Sequence, residues 1–152
     1  MKYWLMKSEP DVFSIDQLKK DKTTWWEGVR NYQARNFMMK DMQVGDAVLF
    51  YHSNAEPSGV AGLAKISKIA APDKTQFDKK SEYFDAKASK EKPIWYCVEV
   101  EYVDKFKEVV SLSDLRTNGK LQDMLVLQKG SRLSVQPVDK KHFDIVKKMG
   151  GL

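Results

Sequence analysis

The sequence predicts an α+β domain built on a small mixed or antiparallel β barrel capped by short helices. Apolar or alternating runs of strand length recur along the chain. Segments with helix-start signals interrupt them irregularly, without the βαβ alternation of a doubly wound parallel sheet. At 152 residues, with 42% hydrophobic and 31% charged residues, the chain suits one globular domain, residues 1–152, able to bury its own core.

The elements follow in order. Lys2 to Lys7 is an aromatic and apolar run ended by Glu9-Pro10, a strand. Ser14-Ile15-Asp16-Gln17 has the spacing of a capping box, flanked by Phe13 and Leu18 at hydrophobic-staple positions. A helix of about two turns ends before Thr23. Trp25 to Gly28 reads as a turn or a helix start. Val29 to Lys40 follows as a helix, with Ala34, Phe37 and Met38 on one face and Asn31 and Arg35 paired on an adjoining edge. Gly45-Asp46 makes a turn. Ala47 to Tyr51 is continuously apolar, the pattern of a strand covered on both faces. Val60 to Ile69 is another strand after the turn at Pro57-Ser58-Gly59, and Gly59 and Gly62 point to a bulge or a close backbone approach. Pro72 to Pro93 is lysine-rich and aperiodic, with isolated Phe77, Tyr83 and Phe84, a long loop of the functional or mobile kind. Ile94 to Phe106 alternates as a strand with one strongly apolar face. Ser111 to Asp114 opens a short helix that stops near Asn118-Gly119. Leu133 and Val135 belong to a strand ended by Pro137. Asp139 then caps a last amphipathic helix carrying Phe143, Val146 and Met149.

Composition excludes several chemistries. A single cysteine, Cys97, forbids an intramolecular disulfide, and its apolar strand disfavours a reactive thiolate. Two histidines and one cysteine do not supply a structural zinc site, so no metal is expected. Neither a Walker phosphate loop nor a Gly-x-Gly-x-x-Gly turn is present, and no cofactor is expected. His52-Ser53 with Asp46 lacks the nucleophile elbow of a hydrolase. No apolar run has membrane-spanning length, and the first residues carry no signal-peptide core. These features lead us to expect a cytoplasmic protein without a membrane partner. No coiled-coil heptad or apolar surface stripe marks an oligomer, so a monomer is expected. The net charge of +5 favours a polyanionic partner.

The densest cluster of binding chemistry runs from Trp25 to Asn36. Within twelve residues it holds two indoles, a phenol, two guanidinium groups and three amides. Trp26 and Tyr32 can stack on a base. Asn31 can read a base edge, and Arg30 or Arg35 can hold a phosphate. These are the groups that receive a base displayed outside a helix. Strand ends add polar groups at Lys7-Ser8, at His52-Ser53 and at Arg132 and Ser134. Lys79 and Lys80 open a lysine run able to follow a phosphate backbone.

Several of these segments, in order, resemble the EVE domain family, which includes the thymocyte nuclear protein group. The matching motifs are Tyr3 to Pro10, Trp26 to Asn36, Phe50 to Asn54, Thr75 to Asp78 and Arg132 to Pro137. The resemblance implies a PUA-like mixed β pseudo-barrel with short flanking helices. It also implies a non-catalytic reader of nucleic acid, RNA or DNA, that recognises a modified or flipped-out base. Carried over by motif, the pocket residues are Ser8, Trp26, Asn31, Tyr32, Arg35, His52 and Ser53, with Arg132 and Ser134 beside them. Glu27 departs from the aspartate frequent in the family pattern. The N-terminal extension of the nuclear members is missing, so their localisation does not carry over. Two other functions stay open on the residues alone. One is a nucleotide-processing or small-molecule enzyme with His52 as general base. The other is a protein–protein adaptor using exposed Trp25 and Trp26.

Overall fold

The computed structural model describes residues 1–152 and shows one six-stranded mixed sheet with short helices on its faces. In chain order these are β1 (Tyr3–Ser8), α1 (Ile15–Asp21), β2 (Thr23–Trp25), α2 (Tyr32–Asn36), β3 (Ala47–His52) and β4 (Gly59–Pro72). There follow β5 (Tyr96–Ser111), α3 (Leu112–Thr117), β6 (Val135–Val138) and α4 (Lys140–Met149). The strands lie in the order β2-β5-β4-β3-β1-β6. Only β1 and β3 run parallel; the other neighbours are antiparallel.

The local signals act as the physics predicts at both short-helix starts. The Ser14 hydroxyl accepts from the Gln17 N–H, and Ser111 and Asp114 form a full capping box on α3. Asp139 stands at the start of α4, yet its carboxylate makes no cap bond there. The helix expected over Val29 to Lys40 starts later, at Tyr32. Asn31 is its N-cap, with its side-chain oxygen accepting from the Ala34 N–H. The turn after α2, Phe37–Asp41, is π-helical. Thr23–Trp25 is a strand, because it pairs with Glu99–Glu101 of β5, which takes Trp25 out of the turn or helix start expected over Trp25 to Gly28. The last strand begins at Val135 and includes Pro137, which its position at the sheet edge tolerates.

Side chains from the two faces of the sheet form separate cores. Trp4, Met6, Val48 and Phe50 join Ile15, Leu18 and Met38 on one side. Leu5, Leu49 and Tyr51 join Leu115, Phe143 and Val146 on the other. Burial on both faces is why β3 reads as a continuous apolar run. On β5, expected to have one strongly apolar face, burial extends to both faces over Cys97–Val100. Cys97, Val98, Glu99 and Val100 are all buried, and the Glu99 carboxylate accepts from Ser67 and pairs with Lys68.

The long strands β4 and β5 are bent by bulges. The register shifts between Val60 and Gly62, where a Cβ on Gly62 would lie 2.5 Å from the Asp104 carbonyl oxygen. The bending curls the sheet until residues of both edges, Thr24 and Trp25 of β2 and Ser134 just before β6, line one cleft. The edges are not hydrogen bonded to each other.

At the other end of β1, the buried Asp46 carboxylate accepts from the Lys2 N–H, the Gln43 N–H and the Trp4 indole N–H, each at 3.0 Å. Removing it strands a buried indole donor. Asp46→Ala is expected to lower stability by about 3 kcal/mol, read as a lower urea midpoint with an unchanged slope.

Candidate functional site

The cleft at the seam of the curled sheet has a volume of about 520 Å³. Lys7, Ser8 and Glu9 line it from the end of β1, and Val12 and Phe13 from the approach to α1. Thr24 to Arg30 and Ser134 close the sides, and Tyr83 reaches in from the long loop. Phe13, Trp25, Trp26 and Tyr83 give its walls four aromatic side chains, while Lys7 and Arg30, Glu9 and Glu27 contribute two charges of each sign. The Lys7 ammonium lies 5.7 Å from the Tyr51 ring centre, and burial lowers its pKa. Burial, and then the charge of Asp73, raise the pKa of Glu27.

A single buried carboxylate ties the cleft wall together. Asp73, 1% exposed, accepts from the Gly28 N–H at 2.8 Å, the Arg30 guanidinium at 3.1 Å, and the Thr75 N–H and hydroxyl. Arg30 also donates to the carbonyls of Val29 and Tyr83 and to the Thr75 hydroxyl. Those bonds occupy all five of its N–H groups. The Tyr83 ring lies directly on Gly28, whose φ of +90° and missing side chain both permit the contact; a Cβ there would sit 2.7 Å from the ring.

The loop that carries Tyr83 is anchored rather than loose. The fully buried Gln76 amide accepts from the N–H groups of Ile94 and Trp95 and donates to the carbonyls of Asp73 and Trp95. Asp85 accepts the Trp95 indole N–H at 2.9 Å.

Among the residues the sequence singles out, Ser8, Trp26, Arg30 and Ser134 line the cleft. Ser53 adjoins it, its N–H donating to the Ser8 carbonyl. The Ser8 hydroxyl donates to the Phe13 carbonyl, which leaves its oxygen as an acceptor. Trp26 is only 7% exposed and packs T-shaped against Phe50, so little of its indole is open to a stacking base. Arg30 is spent on internal bonds, which corrects its assignment to phosphate.

Three residues fall outside. Tyr32 is stacked on Trp95 with ring centres 4.8 Å apart. Arg35 lies 4.8 Å from the Tyr32 ring centre and donates to Asn36 and the Ile94 carbonyl. Asn31 caps α2. Together they form an exposed shelf beside the cleft instead of its lining. His52 is also elsewhere: its Nε2 accepts the Ile15 N–H at 3.1 Å, and burial lowers its pKa. That bond occupies the lone pair a general base would use. Cys97 is buried, and burial followed by the charges of Asp73 and Glu27 pushes its thiol up to about 12. Trp25 is half-buried and Trp26 buried, which removes the exposed indole pair that an adaptor would present. Arg132, Lys79 and Lys80 are exposed, and none of them forms an ion pair.

Sequence reasoning missed Phe13, Tyr83 and Glu27 as lining residues. Phe13 reads as a staple and Tyr83 sits in an aperiodic stretch, while Glu27 lies inside the Trp25 to Asn36 cluster and was the available signal.

Comparison with known proteins identifies relatives across nearly the whole chain. The family model described as EVE domain matches residues 2–149. Thymocyte nuclear protein 1 of Gallus gallus is 42% identical over 163 residues, covering 95% of this chain and 66% of the relative. The chain thus spans just under two thirds of that relative's length. A hypothetical protein from Leishmania major superposes with a TM-score of 0.95 at 50% identity, covering 99% of this chain and 95% of the other. Human THYN1 protein, in complex with 5-methylcytosine-containing DNA, superposes with a TM-score of 0.91 at 41% identity, covering 100% and 99%.

Burial alone would raise the Asp73 pKa, but the bonds from Thr75, Gly28 and Arg30 outweigh it and hold the carboxyl below its usual range. The folded state therefore binds this proton more weakly than the unfolded chain. The resulting stabilisation is complete above the ordinary carboxylate range and is lost as pH falls through the lowered pKa. Asp73→Asn is expected to cost about 2 kcal/mol at neutral pH. Urea unfolding of both proteins across the acid range should show the difference shrinking as pH falls.

Proposed function

The chain belongs to the EVE domain family, and from that membership and the shape of its seam we propose that it is a non-catalytic nucleic-acid-binding domain that takes one unstacked, modified base into the cleft. The carrying observation is the cleft itself: an opening at the seam of a curled sheet lined by Phe13, Trp25, Trp26 and Tyr83, with the ammonium of Lys7, which forms no ion pair, in its lining. Flat apolar walls receive the faces of a base, and a few polar groups fix its edge. The relation to the human protein held with 5-methylcytosine-containing DNA makes that base the first ligand to test.

The residues divide by position. Phe13, Tyr83 and the accessible part of Trp26 enclose the base. Ser8 and Ser134 meet its polar edge, and Lys7 contacts an acceptor on the base or its sugar–phosphate. Arg132, Lys79 and Lys80 face phosphates, where they steer the strand without reading sequence. Asn31, Tyr32 and Arg35 form a shelf for a flanking nucleotide. His52 and Ser53 support the cleft from behind, through the start of α1 and the end of β1. The bonded state of His52 and the buried thiol of Cys97 favour binding over catalysis.

Fluorescence anisotropy with oligonucleotides differing only in one 5-methylcytosine tests this reading. The methylated strand should bind more tightly than its cytosine parent, in DNA or in RNA. Affinity should fall with salt at a log–log slope of about −0.7 for each phosphate neutralised on a single strand. Val12 lines the mouth at 73% exposure, so Val12→Glu adds a repulsive charge there without disturbing the core. Its affinity should drop severalfold. Wild-type affinity in Val12→Glu, with no preference for the methylated strand, would remove the cleft from consideration.

A further inference from the structure

We propose that Glu27 sets the selectivity of the cleft, accepting the exocyclic amino group of a cytosine-type base and rejecting the keto edge of thymine or uracil. This rests on the reading that the cleft receives a base.

Glu27 is the half-buried carboxylate of the cleft lining, and it is uncommitted. Other buried carboxylates of this protein are all engaged: Asp46 by three N–H groups, Asp73 by Gly28, Arg30 and Thr75, and Glu99 by Ser67 and Lys68. The Glu27 side chain accepts no hydrogen bond and forms no ion pair, although Arg30 is three residues away. Arg30 is held on Asp73 and the Tyr83 carbonyl instead. The backbone around Glu27 is fixed on both sides. Its N–H donates to the Trp25 carbonyl at 2.8 Å, and the next N–H, of Gly28, donates to Asp73 at 2.8 Å. A partly desolvated acceptor on a rigid turn, with no internal donor, is poised for a donor that arrives with a ligand.

An ionised carboxylate can only accept. Cytosine presents its N4 amino group as a donor, whereas thymine presents the O4 carbonyl at the same place. Facing O4, Glu27 would stay unpaired beside a second acceptor, in surroundings that already penalise its charge. Lys7 complements the choice by supplying a donor for the ring acceptors of cytosine. Methylation at the 5-position leaves this edge unchanged, so 5-methylcytosine and thymine share the methyl and differ at position 4, amino against keto, and at N3, a bare acceptor in the first and an N–H in the second.

The experiment compares short single strands that are identical except for one 5-methylcytosine or one thymine. Single strands remove the difference in unpairing cost between the two bases. Wild-type protein should bind the 5-methylcytosine strand about tenfold more tightly. Glu27→Gln, whose amide can turn to donate or accept, should bring the two strands within about twofold. Glu27→Asp should keep most of the preference. Thermal unfolding of Glu27→Gln should match wild type, because no internal bond is lost. An unchanged preference in Glu27→Gln, or no preference in wild type, overturns the role of Glu27. If Val12→Glu weakens both strands in either case, the cleft reading survives that failure. If Val12→Glu and Glu27→Gln both bind each strand as wild type does, the cleft itself is not the site and the role of Glu27 falls with it.

Discussion

The cleft depends on Asp73. This one carboxylate gathers the Gly28 N–H, the Arg30 guanidinium and both donors of Thr75 into a water-poor node. Through Arg30 the node extends to the Tyr83 carbonyl, so two segments more than forty residues apart in sequence are set against each other. Burial of a lone carboxylate is costly, but a charge with several short donors is favourable and directional. Directionality is what matters for recognition. The wall formed by Glu27, Gly28 and Tyr83 stands where the donors of Asp73 put it, and a ligand does not have to order it.

The sheet explains why the cleft lies where it does. Two apolar faces, each with its own helices, force the long strands to bend at bulges, and the bend draws the two edge strands toward one place. Because β2 and β6 do not pair, their ends leave polar backbone and side chains around a gap. An open seam in a PUA-like fold thus answers two needs at once: it finishes the curl without strain, and it leaves a lined opening in an otherwise closed core.

Much of this fold was legible in the sequence where burial and capping act locally. Ala47 to Tyr51 announced a strand covered on both faces, Ser14 and Ser111 announced helix starts, and Gly62 announced a close approach. Reading failed where a distant partner decides the outcome. Thr23 to Trp25 is a strand only because β5 lies beside it. Asn31 was read as a base-contacting amide, yet a helix start next to it claims its oxygen. Arg30 and Arg35 look alike in the sequence. Asp73, Thr75 and the carbonyls of Val29 and Tyr83 occupy the one, while the other rests over Tyr32, a distinction set by loops that no local pattern encodes. The cleft was half visible for the same reason. Ser8, Trp26 and Ser134 lie in recognisable motifs, whereas Phe13 and Tyr83 arrive from segments whose periodicity says nothing about a site.

Gln76 deserves a last consideration as a piece of architecture. Its amide receives two N–H groups and gives to two carbonyls, acting as a peptide unit inserted between the start of the long loop and its return at Trp95. Asp85 closes the inner part by binding the Trp95 indole and donating its own N–H to the Gln76 carbonyl. Tyr83 is therefore held by bonds among residues 73–85 and the return of the chain at Ile94 and Trp95. The outer stretch, Ala86 to Lys92, is mostly exposed and hangs from a clasp that is already shut. The length and charge of that outer stretch can therefore vary without disturbing the bonds that hold Tyr83 against Gly28.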